Sequence, residues 1–151
     1  MAEQVKYYKA PGAHPPEKKT EGAAAYDVCA HLPSDTNLKI GPGQRFAVPT
    51  GLYFAIPRGF LLSVRPRSGL ALNHGVTCLN APGTIDSDYR GELKIILMNH
   101  DRQDFVIENG DRIAQVLLEK EVSVEWQPAS TAQELGITDR GSGGFGSTGL
   151  A

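Results

Sequence analysis

The chain has 151 residues, of which 40% are hydrophobic and 21% are charged, and its formal net charge is −2. It lacks the basic excess of proteins that bind nucleic acids or membrane surfaces, so we expect neither partner. No apolar run approaches the roughly 18 residues of a membrane span, and the first residues lack the apolar centre of a signal peptide. The two cysteines, Cys29 and Cys78, are far apart in sequence and imply no disulfide framework. These features predict one globular domain in the cytoplasm.

Alternation of apolar and polar residues predicts β-strands along most of the chain. The predicted strand segments are 44–57, 91–99 and 111–126, together with 59–65, which is a short apolar run ending in a charge. Clusters of Gly, Pro, Asn and Asp separate them at intervals of about ten residues, a spacing typical of all-β sandwiches and barrels. We therefore predict an all-β fold. Proline cannot donate to a β-ladder, which predicts edge or bend positions for Pro49, Pro57 and Pro66.

Two segments do not follow the strand pattern. Residues 68–75 favour a short helix, with Ser68 as its N-cap and Gly75 as its C-terminal stop. Residues 10–22 have no apolar periodicity, and we predict a surface loop there.

The glycine-rich C-terminus allows two interpretations. Five of the nine residues from 141 to 149 are glycine, around a single aromatic residue, Phe145. This composition is typical of a disordered tail. Arginine, an aromatic ring and hydroxyl groups are also what a flap over an anionic, planar ligand requires. The formal G-x-G-x-x-G match here lacks the strand and helix of a dinucleotide site, and the four histidines have no metal-ligand spacing.

The segment NAPGTIDSDYRGEL, residues 80–93, carries more polar and charged side chains than a turn requires. Asp86, Asp88 and Arg90 stand immediately before the apolar residues 93–98. The segment is therefore either a solvated hairpin tip or a functional site on a hairpin. We expect Asp88 to be a structural partner of an arginine.

Five motifs follow one another along the chain: AAAYDVCA (23–30), RPRSGLA (65–71), NAPGTIDSDYRG (80–91), GDRIAQ (110–115) and RGSGGFGSTG (140–149). In this order and spacing they closely resemble the motifs of the homotrimeric deoxyuridine triphosphatases (dUTPases), over nearly the whole chain. The resemblance implies a distorted jelly-roll or β-barrel-like subunit of the β-clip type, with one short helix. It implies a domain at 1–139 and a flexible C-terminal arm at 140–151.

The resemblance also implies hydrolysis of dUTP to dUMP and pyrophosphate by a dUTP diphosphatase. Such an enzyme keeps uracil out of DNA and supplies dUMP for thymidylate synthesis. It would be a homotrimer with shared active sites, and Mg²⁺ would bind through the substrate triphosphate. Asp86 matches the carboxylate that orients and deprotonates the water attacking the α-phosphorus, and positioned base catalysis contributes roughly 10²–10⁴-fold.

The implied substrate contacts on the nucleoside fall within the third motif. Asn80, Gly83, Thr84 and Ile85 match the uracil pocket, and Tyr89 matches the residue that packs on deoxyribose and excludes a 2′-hydroxyl group.

The implied phosphate contacts come from three other motifs and from β-strand backbone. Arg67, Ser68 and Gly69 match phosphate-binding residues, and Gln115 matches an amide that contacts phosphate or water. Lys94 lies where the family contacts substrate mainly through its backbone. In the arm, Arg140 matches a γ-phosphate ligand, Phe145 matches a ring that stacks on uracil, and Gly146, Ser147 and Thr148 match residues that close on the phosphates. No side chain matches a direct metal ligand, while Asp27 matches a residue near metal-bound water.

Three alternatives remain open from the sequence. A dCTP deaminase has the same fold, and so does a bifunctional dCTP deaminase–dUTPase, but we find neither the required Glu and Arg arrangement nor a long C-terminal extension. The third alternative is a non-catalytic β-domain that binds dUTP or a protein. Asp86 and the complete C-terminal motif argue against it.

Overall fold

The computed structural model describes residues 2–144, which form ten β-strands and two short helices. The strands are β1 (Lys6–Lys9), β2 (Tyr26–Cys29), β3 (Leu38–Ile40), β4 (Arg45–Ala55), β5 (Phe60–Arg65), β6 (Val76–Cys78), β7 (Gly83–Ile85), β8 (Glu92–Asn99), β9 (Phe105–Ile107) and β10 (Arg112–Lys120). The α-helix α1 spans Ser68–His74, and a 3-10 helix spans Ala132–Leu135. None of the helices in the described part of the chain is long and apolar enough to cross a membrane.

The strands pair antiparallel in three sheets. Sheet A has the order β1-β4-β8-β6, sheet B has the order β2-β10-β5-β7, and β3 pairs with β9. Neighbours within sheets A and B are distant in sequence, as in a β-sandwich with crossing connections. The predicted all-β class with one short α-helix is confirmed.

One hydrophobic core is shared by the strands of sheets A and B. In β8, Leu93, Ile95 and Leu97 are fully buried, while Lys94 between them is exposed. Val116 of β10 belongs to the same core. Because each fully buried aliphatic side chain contributes about 1.5–3 kcal/mol, this alternation fixes which face of β8 points inward. The core therefore holds β8 and β10 in place, and β10 carries Arg112 and Gln115 of the GDRIAQ motif.

Strand β4 contains a β-bulge in its centre. Its pairing with β8 shifts register between Pro49 and Tyr53, and Gly51 in the bulge has φ of +65°. A Cβ atom on Gly51 would lie 2.7 Å from the Ala13 Cβ and 2.8 Å from the His31 Cδ2, so only glycine fits. Pro49 stands where the regular ladder ends, which agrees with its predicted position at a bend.

Three local predictions need correction. Strand β10 ends at Lys120, not at 126, and every residue from 121 to 142 is exposed. Its alternation continues past Lys120, but no strand of the described chain pairs with it there. Gly75 ends α1 in the left-handed conformation as predicted, but the N-cap is Arg67 and not Ser68, and no side chain caps the helix. The loop at 10–22 is mainly exposed, although Glu17 forms a β-bridge with Asp27.

Candidate active site

The predicted uracil-binding residues lie on an edge strand. β7 pairs on one side with β5, where Gly83 is opposite Val64 and Ile85 is opposite Leu62, and it is the last strand of sheet B. The outer edge of β7 therefore presents backbone N–H and C=O groups that no strand of the described chain uses. Thr84 is exposed and Ile85 is half-buried on this strand.

Asn80 and Gly83 are brought together at the start of this strand. A Cβ atom on Gly83 would lie 3.1 Å from the Val64 Cβ and 3.5 Å from the Asn80 Nδ2. Glycine thus allows the backbone of β7 to lie close to both β5 and the Asn80 amide. The Asn80 side chain is exposed beside the strand edge, where it can contact a ligand.

Asp86 lies in a turn directly after β7. The Tyr89 amide donates to the Asp86 backbone carbonyl at 3.2 Å, which closes the turn. The Asp86 side chain is exposed, and none of the ion pairs within residues 2–144 involves it. A carboxylate in this state is available to a water molecule or a substrate.

The predicted hairpin and the predicted role of Asp88 are both wrong for the described chain. β7 pairs with β5, while β8 pairs with β4 and β6, so residues 86–91 connect two different sheets. Local turn residues suggested a hairpin, but the strand partners come from distant parts of the chain. Asp88 forms no ion pair among residues 2–144, and the nearby Arg90 instead donates to the backbone carbonyls of Ser87 and Tyr89, at 2.7 and 2.8 Å.

Tyr89 is fixed against the backbone at the end of this connection. Its hydroxyl donates to the Glu92 carbonyl at 3.0 Å, and a Cβ atom on Gly91 would overlap its ring. The residue is still 44% exposed, so part of it is accessible from solvent. Tyr89 therefore offers a held aromatic surface a few residues from Asp86.

Asp27 organises the predicted phosphate-binding residues. It is 6% exposed, and it accepts hydrogen bonds from Arg67 Nε at 3.2 Å, Arg112 Nη1 at 2.9 Å and Gln115 Nε2 at 3.4 Å. Arg67 Nη1 also donates to the Arg112 carbonyl at 3.1 Å. Arg112 was not among the predicted site residues, although it belongs to the GDRIAQ motif. The buried Asp27 carboxylate accepts from both arginines and thereby holds the two guanidinium groups in place.

Helix α1 begins beside this cluster with free backbone donors. The Ala71 amide makes the first helical bond, to the Arg67 carbonyl, so the amides of residues 68–70 precede the helical ladder. Ser68 and Gly69 are exposed, and a Cβ atom on Gly69 would meet nothing within 4 Å. This end of the molecule is thus open, cationic and rich in donors.

The remaining predicted residues make other contacts or lie outside the described chain. The Lys94 side chain is 55% exposed, and its Nζ lies 3.8 Å from the Glu92 carboxylate. Arg140 is exposed, and its Nε donates to the Gly143 carbonyl at 2.8 Å. The predictions for Phe145, Gly146, Ser147 and Thr148 lie outside the described residues.

The chain matches one protein family over most of its length. Residues 12–149 match the dUTPase family model. The deoxyuridine 5'-triphosphate nucleotidohydrolase of Caulobacter vibrioides (strain NA1000 / CB15N) is 50% identical over 135 residues, an alignment that covers 89% of this chain and 85% of that protein. This chain belongs to the dUTPase family.

Solved dUTPase structures share the fold of this family member. A mutant dUTPase of Staphylococcus bacteriophage 80alpha with dUpNHpp has a TM-score of 0.82 at 20% identity, covering 99% of this chain and 100% of that chain. A mutant dUTPase of phage phi11 of S. aureus, which coordinates a structural Mg(II) ion, has a TM-score of 0.73 at 19% identity, covering 87% and 99%. These likenesses confirm the predicted jelly-roll-like architecture.

The two thiols of this dUTPase family member lie in protected surroundings. Burial raises the pKa of Cys78 from 9.0 to about 11. Burial, and then the negative charge of Asp27, raise the pKa of Cys29. Both thiols therefore resist ionisation, and neither is poised as a nucleophile.

Proposed function

We propose that this chain hydrolyses dUTP to dUMP and pyrophosphate, as a dUTP diphosphatase. The observation that supports this most directly is the exposed Asp86 carboxylate, which stands at the end of an edge strand with an unused backbone edge. In the proposed reaction, Asp86 accepts a proton from water while the water oxygen bonds to the α-phosphorus. The bond from that phosphorus to the α,β-bridging oxygen breaks, and this oxygen leaves with the pyrophosphate.

The edge of β7 suits the recognition of uracil. Uracil has two carbonyl groups and one N–H on its pairing edge, and the free backbone groups of residues 83–85 together with the Asn80 amide can complement them. Cytosine would place a donor and an acceptor in the wrong order, which leaves buried groups unpaired. Tyr89 packs on the deoxyribose in this proposal, and a 2′-hydroxyl would collide with its ring.

The cluster around Asp27 suits the triphosphate. Arg67, the amides of Ser68 and Gly69, and the Gln115 side chain are the donors for the phosphate oxygens. Charge-assisted hydrogen bonds to phosphate depend on geometry, so the buried Asp27 contributes by holding Arg67 in position.

Magnesium is proposed to enter with the triphosphate. Residues 2–144 contain no group of three or more His, Cys, Asp or Glu side chains that could hold a metal ion, and the Asp27 oxygens accept from Arg67, Arg112 and Gln115. A hard divalent cation commonly binds phosphate oxygens and keeps several waters, which agrees with this donor set. Bound there, the ion would neutralise charge on the phosphates. The resemblance places Asp27 near its waters, and this stays a prediction.

The orientation proposed for dUTP along β7 supports a site shared between subunits. If uracil lies at Gly83 and the α-phosphorus at Asp86, the outer phosphates extend away from Gly83. Arg67 lies in the opposite direction, because β5 runs antiparallel to β7 and Arg65 is three residues, or about 10 Å, beyond Leu62. The Arg67 cluster that binds these phosphates therefore belongs to a neighbouring subunit in the proposed homotrimer.

The exposed segment after β10 also supports assembly. Val122, Trp126, Leu135 and Ile137 are 80%, 88%, 79% and 101% exposed. A groove of about 480 Å³ on the same protomer is lined largely by apolar and aromatic side chains, among them Tyr7, Phe54 and Leu118. Apolar surfaces of this kind usually pack against another chain. In the proposal, the arm at 140–151 closes over a neighbour's site, and Phe145, Gly146, Ser147 and Thr148 contact the substrate there.

A substrate panel tests the proposed activity. The purified protein is incubated with dUTP, dCTP, dTTP or UTP and Mg²⁺, and pyrophosphate and ammonia are measured. We expect pyrophosphate from dUTP and no ammonia from dCTP. Ammonia would indicate a deaminase, and the absence of any turnover would indicate a binding protein. We propose a cytoplasmic location, in agreement with two free thiols.

Complementation tests the shared site. One chain carries Asp86→Ala with a normal arm, and the other is truncated after Thr138 with a normal Asp86. Each is expected to be nearly inactive alone, and co-refolding at equal ratio should restore roughly a quarter of the sites, because each element is intact with even odds. Mixed trimers without recovered activity would contradict the proposal.

A further inference from the structure

Glu92 connects the start of β8 to the bulge of β4. Its Oε1 accepts a hydrogen bond from the Gly51 amide at 2.9 Å, and its side chain is only 20% exposed. Gly51 lies at the register shift of β4, where the regular ladder leaves its amide without a strand partner. The carboxylate thus replaces a missing ladder bond between two neighbouring strands.

A second side chain reinforces this connection. The Thr50 hydroxyl donates to the Leu93 carbonyl at 2.6 Å and accepts from the Leu52 amide at 3.2 Å, and Thr50 is fully buried. The bulge and residues 92–93 are therefore joined by two side-chain contacts. The position of the Glu92 backbone depends on them.

The Glu92 backbone in turn holds Tyr89. The Tyr89 hydroxyl donates to the Glu92 carbonyl, and the ring lies against Gly91. A displacement of the Glu92 backbone would move this hydroxyl anchor and hence the ring. The described contacts of the Glu92 carboxylate are with Gly51 and Lys94, and its link to Tyr89 runs through the backbone carbonyl.

We propose that Glu92 is a positioning residue that sets the selectivity for deoxyribose over ribose. This inference rests on the proposed function, in which Tyr89 excludes a 2′-hydroxyl. The hydrogen bond to Gly51 carries the effect, and the contact with Lys94 does not. That contact is 3.8 Å long with a lysine that is 55% exposed, and such pairs contribute little.

Variants at position 92 separate the hydrogen bond from the charge. Glu92→Ala removes the acceptor, while Glu92→Gln keeps an oxygen acceptor and loses the charge. Asp104→Asn is a matched control, since it removes a carboxylate from an exposed ion pair with Lys39. For each protein, kcat/KM is measured with dUTP and with UTP, along with thermal unfolding and the Gly51 amide in NMR hydrogen exchange.

The expected outcome is a change in selectivity that the conservative variant rescues. Glu92→Ala should lower the ratio of kcat/KM for dUTP to that for UTP by roughly three- to tenfold, the size of one misplaced contact, and should speed exchange at Gly51. Glu92→Gln and Asp104→Asn should keep the wild-type ratio. A folded Glu92→Ala with an unchanged ratio would overturn the inference, and so would a Gln variant that behaves like Ala.

Tyr89→Phe provides the second test if Glu92→Ala does not fold. Removing the hydroxyl cuts the same connection at its other end, so the dUTP preference should fall by a similar factor. An unchanged preference in Tyr89→Phe would contradict the inference. Wild-type protein that hydrolyses no dUTP would instead refute the proposed function, and exchange at Gly51 reports on the hydrogen bond without any substrate.

Discussion

Asparagine in place of Asp27 tests whether the buried carboxylate holds the phosphate-binding end together. The substitution preserves the size of the side chain and one oxygen acceptor, but it removes the charge. Arg67 and Arg112, which both donate to this carboxylate, then lie near each other without compensation. The change should therefore loosen both guanidinium groups while the surrounding strands remain.

The expected loss of stability follows from the exposure of the two arginines. Hydrogen bonds to charged groups contribute about 1.5–3 kcal/mol, and the Arg67 side chain is 24% exposed against 7% for Asp27. Arg112 is 41% exposed, so solvent screening reduces its part to less than about 1 kcal/mol. Because asparagine keeps one acceptor, we expect the free energy of unfolding to fall by about 2 kcal/mol, or roughly 4–8 °C in Tm.

The functional consequence should be weaker substrate binding. An unanchored Arg67 samples other rotamers, so we expect KM for dUTP to rise by about tenfold, the equivalent of one charge-assisted contact. Pyrophosphate release and thermal unfolding are measured for Asp27→Asn and for a control, Asp104→Asn, which removes a carboxylate from an exposed ion pair with Lys39. A variant with wild-type KM and a Tm within about 1 °C of wild type would refute the positioning role of Asp27.

Three further substitutions or conditions probe other parts of the molecule. Asp86→Asn should keep the fold and nucleotide binding but lower kcat by about 10²–10⁴-fold, as measured by pyrophosphate release; near-normal kcat would exclude a general base at this position. Asn99→Ala should cost about 3 kcal/mol in urea unfolding, because the fully buried Asn99 bonds to the Ile40 and Gln103 carbonyls and the Asp101 amide. Cys78 should resist thiol reagents in the folded protein. Since burial raises its pKa from 9.0 to about 11, its contribution to stability is fully present below pH 9 and is lost as the pH rises toward 11; Cys78→Ala should lack this pH dependence.

Local patterns in the sequence were sufficient for the main strands. The alternation in β8 predicted a strand because Leu93, Ile95 and Leu97 face the core, and burial of one face is what alternation encodes. The stop at Gly75 was also predictable, because the left-handed conformation favours glycine. These features depend on a few consecutive residues.

Strand partners were not predictable in this way. The turn residues of 86–91 are compatible with a hairpin, yet β7 and β8 join different sheets, because the partner of β7 is β5. The alternation at 122–126 likewise continues where β10 has already ended. Which strands pair with each other depends on residues far away in the chain, so the periodicity of one segment does not predict its partner.

In the site as well, residues of one motif could be identified from the sequence, whereas contacts between distant residues could not. Asp86 and Tyr89 lie in one motif, which the resemblance identified. Asp27, by contrast, joins Arg67 and Arg112 from positions 40 and 85 residues away. The resemblance implied metal-bound water near Asp27, which stays a prediction, but it did not indicate that Arg67, Arg112 and Gln115 all donate to this carboxylate.

In the proposed trimer, stability and catalysis depend on the same contacts. The exposed Trp126, Leu135 and Ile137 precede the arm, and each contributes about 1.5–3 kcal/mol if a neighbour buries it. Assembly would therefore stabilise the segment that carries Arg140 and, through it, the arm over the phosphates. A protomer alone leaves those side chains in water, and in the proposed arrangement its Asp86 site is completed by the Arg67 of a neighbour. Conditions that dissociate the trimer should thus abolish turnover before the strands of each protomer unfold.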